Sequence, residues 1–165
     1  MTIEIQYDDR FSEQVAEKHD SNPLAGMKIR VGDEYVLGGP STAASDYVTE
    51  NLTAQLHAAP AIVADQTQVI EFHGGPVWLV LEPRDEQSIA LTGCHTYAGV
   101  ENPDKRLSTD TTRAVTKRAW LSELVRATRA YHEQLTGLHP SLAGSEDVQA
   151  LREALQTAER TLDEL

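Results

Sequence analysis

The sequence predicts an α+β fold: an antiparallel sheet of about six strands in hairpins and a meander, one helix at 41–58, and a C-terminal antiparallel helix pair. Three observations carry this expectation. Residues 1–96 break into short apolar runs joined by tight turn chemistry. One of those runs, Val77-Trp78-Leu79-Val80-Leu81, does not alternate with polar residues, so both of its faces need cover and it belongs at the centre of a sheet. Residues 111–165 carry two long apolar stripes at helical spacing.

Taken in order, Ile3 and Ile5 alternate with polar neighbours between Thr2 and Tyr7, the period-2 mark of a half-buried strand. The polar stretch after them supports at most a short helix with Phe11 and Val15 on one side. Met27 to Leu37 reads as a hairpin, because Gly32-Asp33 tolerates the positive φ angles of a tight primed turn. Gly38-Gly39-Pro40 ends it. Ser41 or Thr42 is placed to cap a helix carrying Ala44, Val48, Leu52 and Leu56 at spacing four, and Pro60 stops that helix after about Ala58. Val69–Phe72, Pro76–Leu81 and Ser88–Thr92 form a meander.

After a polar loop, a helix from about Thr111 to Thr136 presents Val115, Leu121, Leu124, Val125, Thr128, Tyr131 and Leu135 on one side, and Gly137 and Pro140 end it. Ser145 opens a second helix whose seam is Val148, Leu151, Leu155, Ala158 and Leu162. The expected organisation is a single domain over 1–165, sheet-rich to 96, a loop over 97–110 and a helical pair over 111–165. The helix pair is expected on one face of the sheet. The other face would take the 41–58 helix or a second copy of the chain, and a homodimer through the 148–162 seam is a further expectation.

Charge narrows the partners. The chain has 26 Asp and Glu against 14 Lys and Arg, a net charge of −12. Such a field repels phosphate backbones and no basic cluster reverses it, so nucleic acid is disfavoured and a basic protein partner is favoured. An acid excess of this size, with Arg well ahead of Lys, fits a high-salt source, in which hydrated carboxylates keep a protein in solution. No apolar stretch approaches the roughly 18 residues of a membrane span. The opening residues lack the pattern of a signal peptide, and one cysteine supports no internal disulfide. The expected location is the cytoplasm, with no membrane association.

The chemistry-bearing residues concentrate between Ile70 and His95. Cys94-His95 suggests a thiol and its base, but neighbours on a strand point to opposite faces, so the pair alone is weak as a catalytic unit. Pairing Leu81-Glu82 with Gln87-Ser88 would bring Gly75 beside Cys94 and His73 to within roughly 10 Å of Cys94 or His95, two strand spacings. With Glu71 and Glu101 as added carboxylates, that edge is a weak metal candidate, short of the ligand spacings that zinc sites show. Gly74-Gly75 and Gly38-Gly39 lack the lysine and the spaced glycines of a phosphate loop, so no cofactor is expected. Trp120 falls beside the apolar stripe of its helix, with Arg113 and Lys117 at i−7 and i−3, and is either a partner-binding anchor or core. The leading expectation is a non-enzymatic, acidic protein-interaction module of the adaptor, inhibitor or immunity type. The alternative is a small enzyme or metal-binding protein working at the His73/Cys94/His95 edge beneath the 97–110 loop.

Overall fold

The computed structural model describes residues 1–165 and is α+β, with eight strands in two four-stranded antiparallel sheets and five α-helices. The first sheet comprises β1 (Thr2–Ile5), β2 (Leu24–Val31), β3 (Glu34–Leu37) and β4 (Ala44–Tyr47). The second is the meander β5 (Gln68–Phe72), β6 (Val77–Pro83), β7 (Ser88–Cys94) and β8 (Thr111–Thr116). The helices are α1 (Asp9–Ala16), α2 (Val48–Val63), α3 (Tyr97–Glu101), α4 (Lys117–Leu138) and α5 (Glu146–Glu164).

In the first sheet β2 is central, with Met27 facing Ile5 of β1 on one side and Ala44 of β4 on the other, while β3 continues the β4 side through Ile29↔Leu37 and Val31↔Glu34. The hairpin turns at Gly32, whose φ of 61° lies in the left-handed region that glycine tolerates. Residues 44–47 are therefore a strand, which corrects the expected start of the 41–58 helix. They pair with the first half of β2, and α2 begins only at Val48. It runs through Pro60 to Val63, because a proline in the last turn costs one hydrogen bond while Leu52, Leu56, Ala59 and Ile62 stay buried.

A second correction concerns 111–116. These residues form β8, paired with β7 through Ile89↔Val115, Leu91↔Arg113 and Gly93↔Thr111, and are not the first turns of a helix. The helix starts at Lys117, where the Thr116 hydroxyl accepts the Ala119 N–H at 3.0 Å.

Helices α2, α4 and α5 form one layer. Thr49 meets the Tyr131 hydroxyl at 2.7 Å at one end, and Lys117 donates to the Val63 carbonyl at 3.3 Å at the other, so α2 and α4 run antiparallel. The seam of α5 lies against α2, with Val148, Leu151 and Ala158 fully buried. Leu155 and Leu162, the other two residues of that seam, stay partly exposed. Leu79, Leu81, Ile89, Leu91, Ile70 and Phe72 join the main core with Trp120, Tyr131 and the helical stripes. Each fully buried large side chain there contributes about 1.5–3 kcal/mol.

The two sheets touch where β4 meets β5 and where β3 passes over β7 and β8. Only a residue without a side chain fits the crossing: a Cβ on Gly93 would overlap the Val36 carbonyl oxygen. Elsewhere the exposed edge of β1 is closed by an ion pair. Glu123 Oε1 accepts the Ile3 N–H at 2.7 Å, and Arg126, bonded to Glu123, donates to the Ile3 carbonyl at 3.3 Å. Two side chains thus stand in for a neighbouring strand and blunt the edge. Burial alone would raise the Glu123 carboxyl, but the Arg126 and Ile3 bonds prevail and hold it below the usual glutamate range.

Gly93→Ala is expected to destabilise the protein by about 1–3 kcal/mol or more in urea unfolding, because the crossing strand cannot yield. Gly75→Ala, with nothing within 4 Å of the added Cβ, is expected to leave the midpoint nearly unchanged. Glu123 has a folded pKa below its unfolded value, so its contribution is present above the ordinary glutamate range and lost as pH falls through the depressed value. Glu123→Gln is therefore expected to flatten the acid limb of a stability-versus-pH profile relative to wild type.

Candidate functional site

Strand parity sorts the second sheet into two faces. The helix-facing side belongs to the main core. On the opposite side lie Trp78, Val80 and Glu82 of β6 and Ala90, Thr92 and Cys94 of β7, brought together by the pairs Trp78↔Cys94, Val80↔Thr92 and Glu82↔Ala90. Val80, Thr92 and Cys94 are fully buried there, yet lie on the side away from α2, α4 and α5. Their cover is the 97–110 segment, which folds back over the sheet as α3 and a turn of 3-10 helix at Pro103–Lys105. Val77–Leu81 is thus sandwiched as its sequence requires, but by this segment, which corrects the expected cover by the 41–58 helix or a second copy.

Three contacts hold the segment down. Tyr97 packs edge-to-face on Trp78 with ring centroids 6.2 Å apart. Arg106 bonds Glu82 at 2.7 Å and also donates to the Gly99 carbonyl at 3.3 Å. Asp110 closes the loop: its Oδ1 accepts the His95 N–H at 3.1 Å and contacts His95 Nδ1 at 2.8 Å, while Oδ2 accepts the Leu107 N–H at 2.8 Å. The Asp110 side chain is 0% exposed and the His95 side chain 45%. One carboxylate therefore clasps both ends of the loop and turns the imidazole so that Nε2 remains its free nitrogen.

His73 has a different acid. Asp46, buried in β4, accepts the His73 N–H at 3.0 Å and lies 3.5 Å from its ring Nδ1. The other Asp46 oxygen accepts from the Asn51 amide at 2.5 Å, and Asn51 in turn accepts from Gln55 at 2.7 Å. This buried polar chain ties the β5–β6 turn to the first sheet and α2.

The register also corrects the proposed constellation. Pro83 pairs with Ile89, so Trp78, not Gly75, stands beside Cys94, and His73 and His95 bind separate carboxylates on separate elements. Glu71 lies exposed on β5 across from Trp78, and Glu101 is exposed at the end of α3. No group of three or more His, Cys, Asp or Glu comes together that could hold a metal ion. Cys94 is fully buried, and burial pushes its thiol pKa up against the opposing pull of Arg106, so it is no thiolate at neutral pH.

Trp120 is fully buried in the core, so the reading of it as an exposed anchor is corrected. Of its expected companions, Arg113 is on β8, paired with Glu34, and Lys117, in the first turn of α4, is buried against Asp65 at 2.7 Å. Asp110 and Asp46 were missed. Reading Thr111–Thr116 as a strand paired with β7 sets residue 110 opposite Cys94, next to His95. No family model, curated protein or solved structure matches the chain, and its site is read from its own geometry.

Asp110→Asn is expected to lose about 1–3 kcal/mol, since an amide cannot accept all three contacts. In the native protein Cys94 is expected to react with an aromatic disulfide reagent at pH 8 at least about tenfold more slowly than in urea. Asp110→Asn should narrow that gap by loosening the cover.

Proposed function

We propose that this chain is a non-enzymatic, acidic protein-binding module, an adaptor or inhibitor that engages a basic partner. The observation that supports this reading best is that the reactive-looking residues are already committed to the scaffold. Cys94 is buried and protonated, His73 and Asp46 tie the sheets together, and His95 and Asp110 clasp the covering segment. The surface depressions are shallow and polar, such as the groove between α2 and α5 lined by Asn22, Glu50, His57 and Asp147. Such a surface suits recognition through complementary charge, which sets association rate and partner choice more than raw affinity.

A second reading draws on the His95–Asp110 pair alone. A half-exposed imidazole oriented by a buried carboxylate is the arrangement of a general base. It lacks a nucleophile, since Cys94 is buried and belongs to the covered sheet face.

Affinity capture from the native cell extract, with the retained polypeptide then measured against salt, separates the two. The first reading expects a basic polypeptide whose association slows steeply as ionic strength rises, with His95→Ala binding as wild type does. Failure to retain any polypeptide, together with ester hydrolysis above background that His95→Ala abolishes, would replace it with the second.

A further inference from the structure

We infer that the outer edge of β5 is a strand-addition site, at which an extended segment of a basic partner pairs with Val69 and Glu71 and extends the second sheet by one strand. The inference rests on the protein-binding reading and says where and how that binding occurs.

Backbone alternation defines the edge. The Arg84 N–H donates to the Ser88 carbonyl at 3.0 Å, which makes 84 and 88 a hydrogen-bonded pair. Counting back in twos, Glu82, Val80 and Trp78 direct their backbone groups toward β7, so Leu81, Leu79 and Val77 direct theirs toward β5. Their partners there are Gln68, Ile70 and Phe72. The N–H and C=O groups of Val69 and Glu71 therefore point away from the sheet. His73, next in that outward series, confirms the parity, because its N–H points out of the sheet to Asp46. No hydrogen bond from a loop, turn or side chain reaches the backbone of Val69 or Glu71.

Other edges are handled differently. That of β1 is closed by Glu123 and Arg126, and on β8 the Thr112 carbonyl is taken by the Arg113 guanidinium at 2.6 Å. At Val69 and Glu71 the β5 edge carries neither device; its far end runs against β4, where the His73 N–H meets Asp46 and Gly74 packs on the Ser45 carbonyl. Val69 is 44% exposed, and Glu71, also exposed, has no ion-pair partner.

Charge selects the occupant. No Lys or Arg occurs between Arg30 and Arg84, an interval that supplies β3, β4, α2, β5 and all of β6. Acids continue through it, including Glu50, Asp65, Glu71 and Glu82. Asp65 is matched by Lys117 and Glu82 by Arg106, which leaves Glu71 as the free carboxylate on the strand itself. A second copy of the chain, with its own net charge of −12, would bring the same unbalanced carboxylate to this edge. A basic strand would neutralise it. The two outward-bonding residues also share the outer face of the sheet, so an incoming strand meets Val69 and Glu71 with residues two apart: an apolar side chain opposite the first and Lys or Arg opposite the second.

The probe is the acetylated, amidated octapeptide Val-Thr-Lys-Thr-Val-Thr-Lys-Thr, titrated into the full-length protein and followed by amide NMR. Expected are shifts centred on Val69 and Glu71 and slower exchange of those two amides. N-methylation of the peptide's Val and Lys residues should weaken binding at least tenfold, and N-methylation of its Thr residues should not. Val69→Pro removes an N–H that the native sheet does not use, a substitution that edge strands tolerate, and should cost at least tenfold in affinity. Should Val69→Pro disturb the fold, Glu71→Lys keeps every backbone group and should transfer preference to the same peptide with Glu in place of Lys. Shifts located elsewhere, equal binding by the two N-methylated forms, or no binding at millimolar peptide would overturn the inference. A captured cellular partner that binds wild type and Val69→Pro equally would overturn strand addition while leaving the protein-binding reading in place, whereas failure to capture any partner removes that reading itself.

Discussion

The fold depends on covering both faces of one short strand. Val77–Leu81 carries apolar side chains in succession, and a sheet can bury such a run only when something lies on each side. The helical layer covers one side, through Leu79 and Leu81. For the other, the chain leaves β7, crosses the outer face as residues 97–110, and returns as β8 beside the strand it left. The loop is therefore structural cover held at its base by a single buried carboxylate, Asp110. Water excluded from Val80, Thr92 and Cys94 is the gain, and a protonated, inaccessible thiol is the consequence.

The same economy runs through the other polar groups that drew notice. Asp46 receives the His73 backbone and the Asn51 amide and is buried in doing so, which makes it a joint between the sheets. Glu123 and Arg126 replace a missing strand beside β1. Buried polar groups of this kind are costly unless satisfied, and the Asp46 and Glu123 carboxylates have their partners, while Gln55 Oε1 and Trp120 Nε1 are buried without one. What remains open to other molecules is accordingly a matter of edges and surface charge.

Much of the architecture was legible from pattern alone. Alternation located β1, the β2–β3 hairpin and the meander, and the apolar run of β6 announced its central place. Helical stripes located most of α4 and all of α5. Legibility failed where strand and helix signals overlap. Thr111 to Thr116 is β-branched at Thr111, Thr112, Val115 and Thr116, which suits a strand, but its apolar residues Ala114 and Val115 are adjacent, it abuts a strong helical stripe, and Val115 fits that stripe. Likewise Ala44–Tyr47 sits at helical spacing from Val48 while pairing with β2. These two errors explain the errors at the site. Without β8 there is no reason to set Asp110 beside His95, and without β4 there is none to set Asp46 beside His73. The register of the β6–β7 hairpin was also unreadable, since Arg84-Asp85-Glu86-Gln87 accommodates several turn lengths and only the Asp85 bonds to Gln87 and Ser88 select one.

Residues 97–110 are packed scaffold that opens together with the second sheet. Native-state hydrogen exchange compares the Leu107 amide, bonded to Asp110, with the Leu91 amide inside β7. Opening free energies within about 1 kcal/mol of each other are the predicted result. Leu107 exchanging near its unprotected rate while Leu91 stays protected would show a loose lid over the sheet and contradict it.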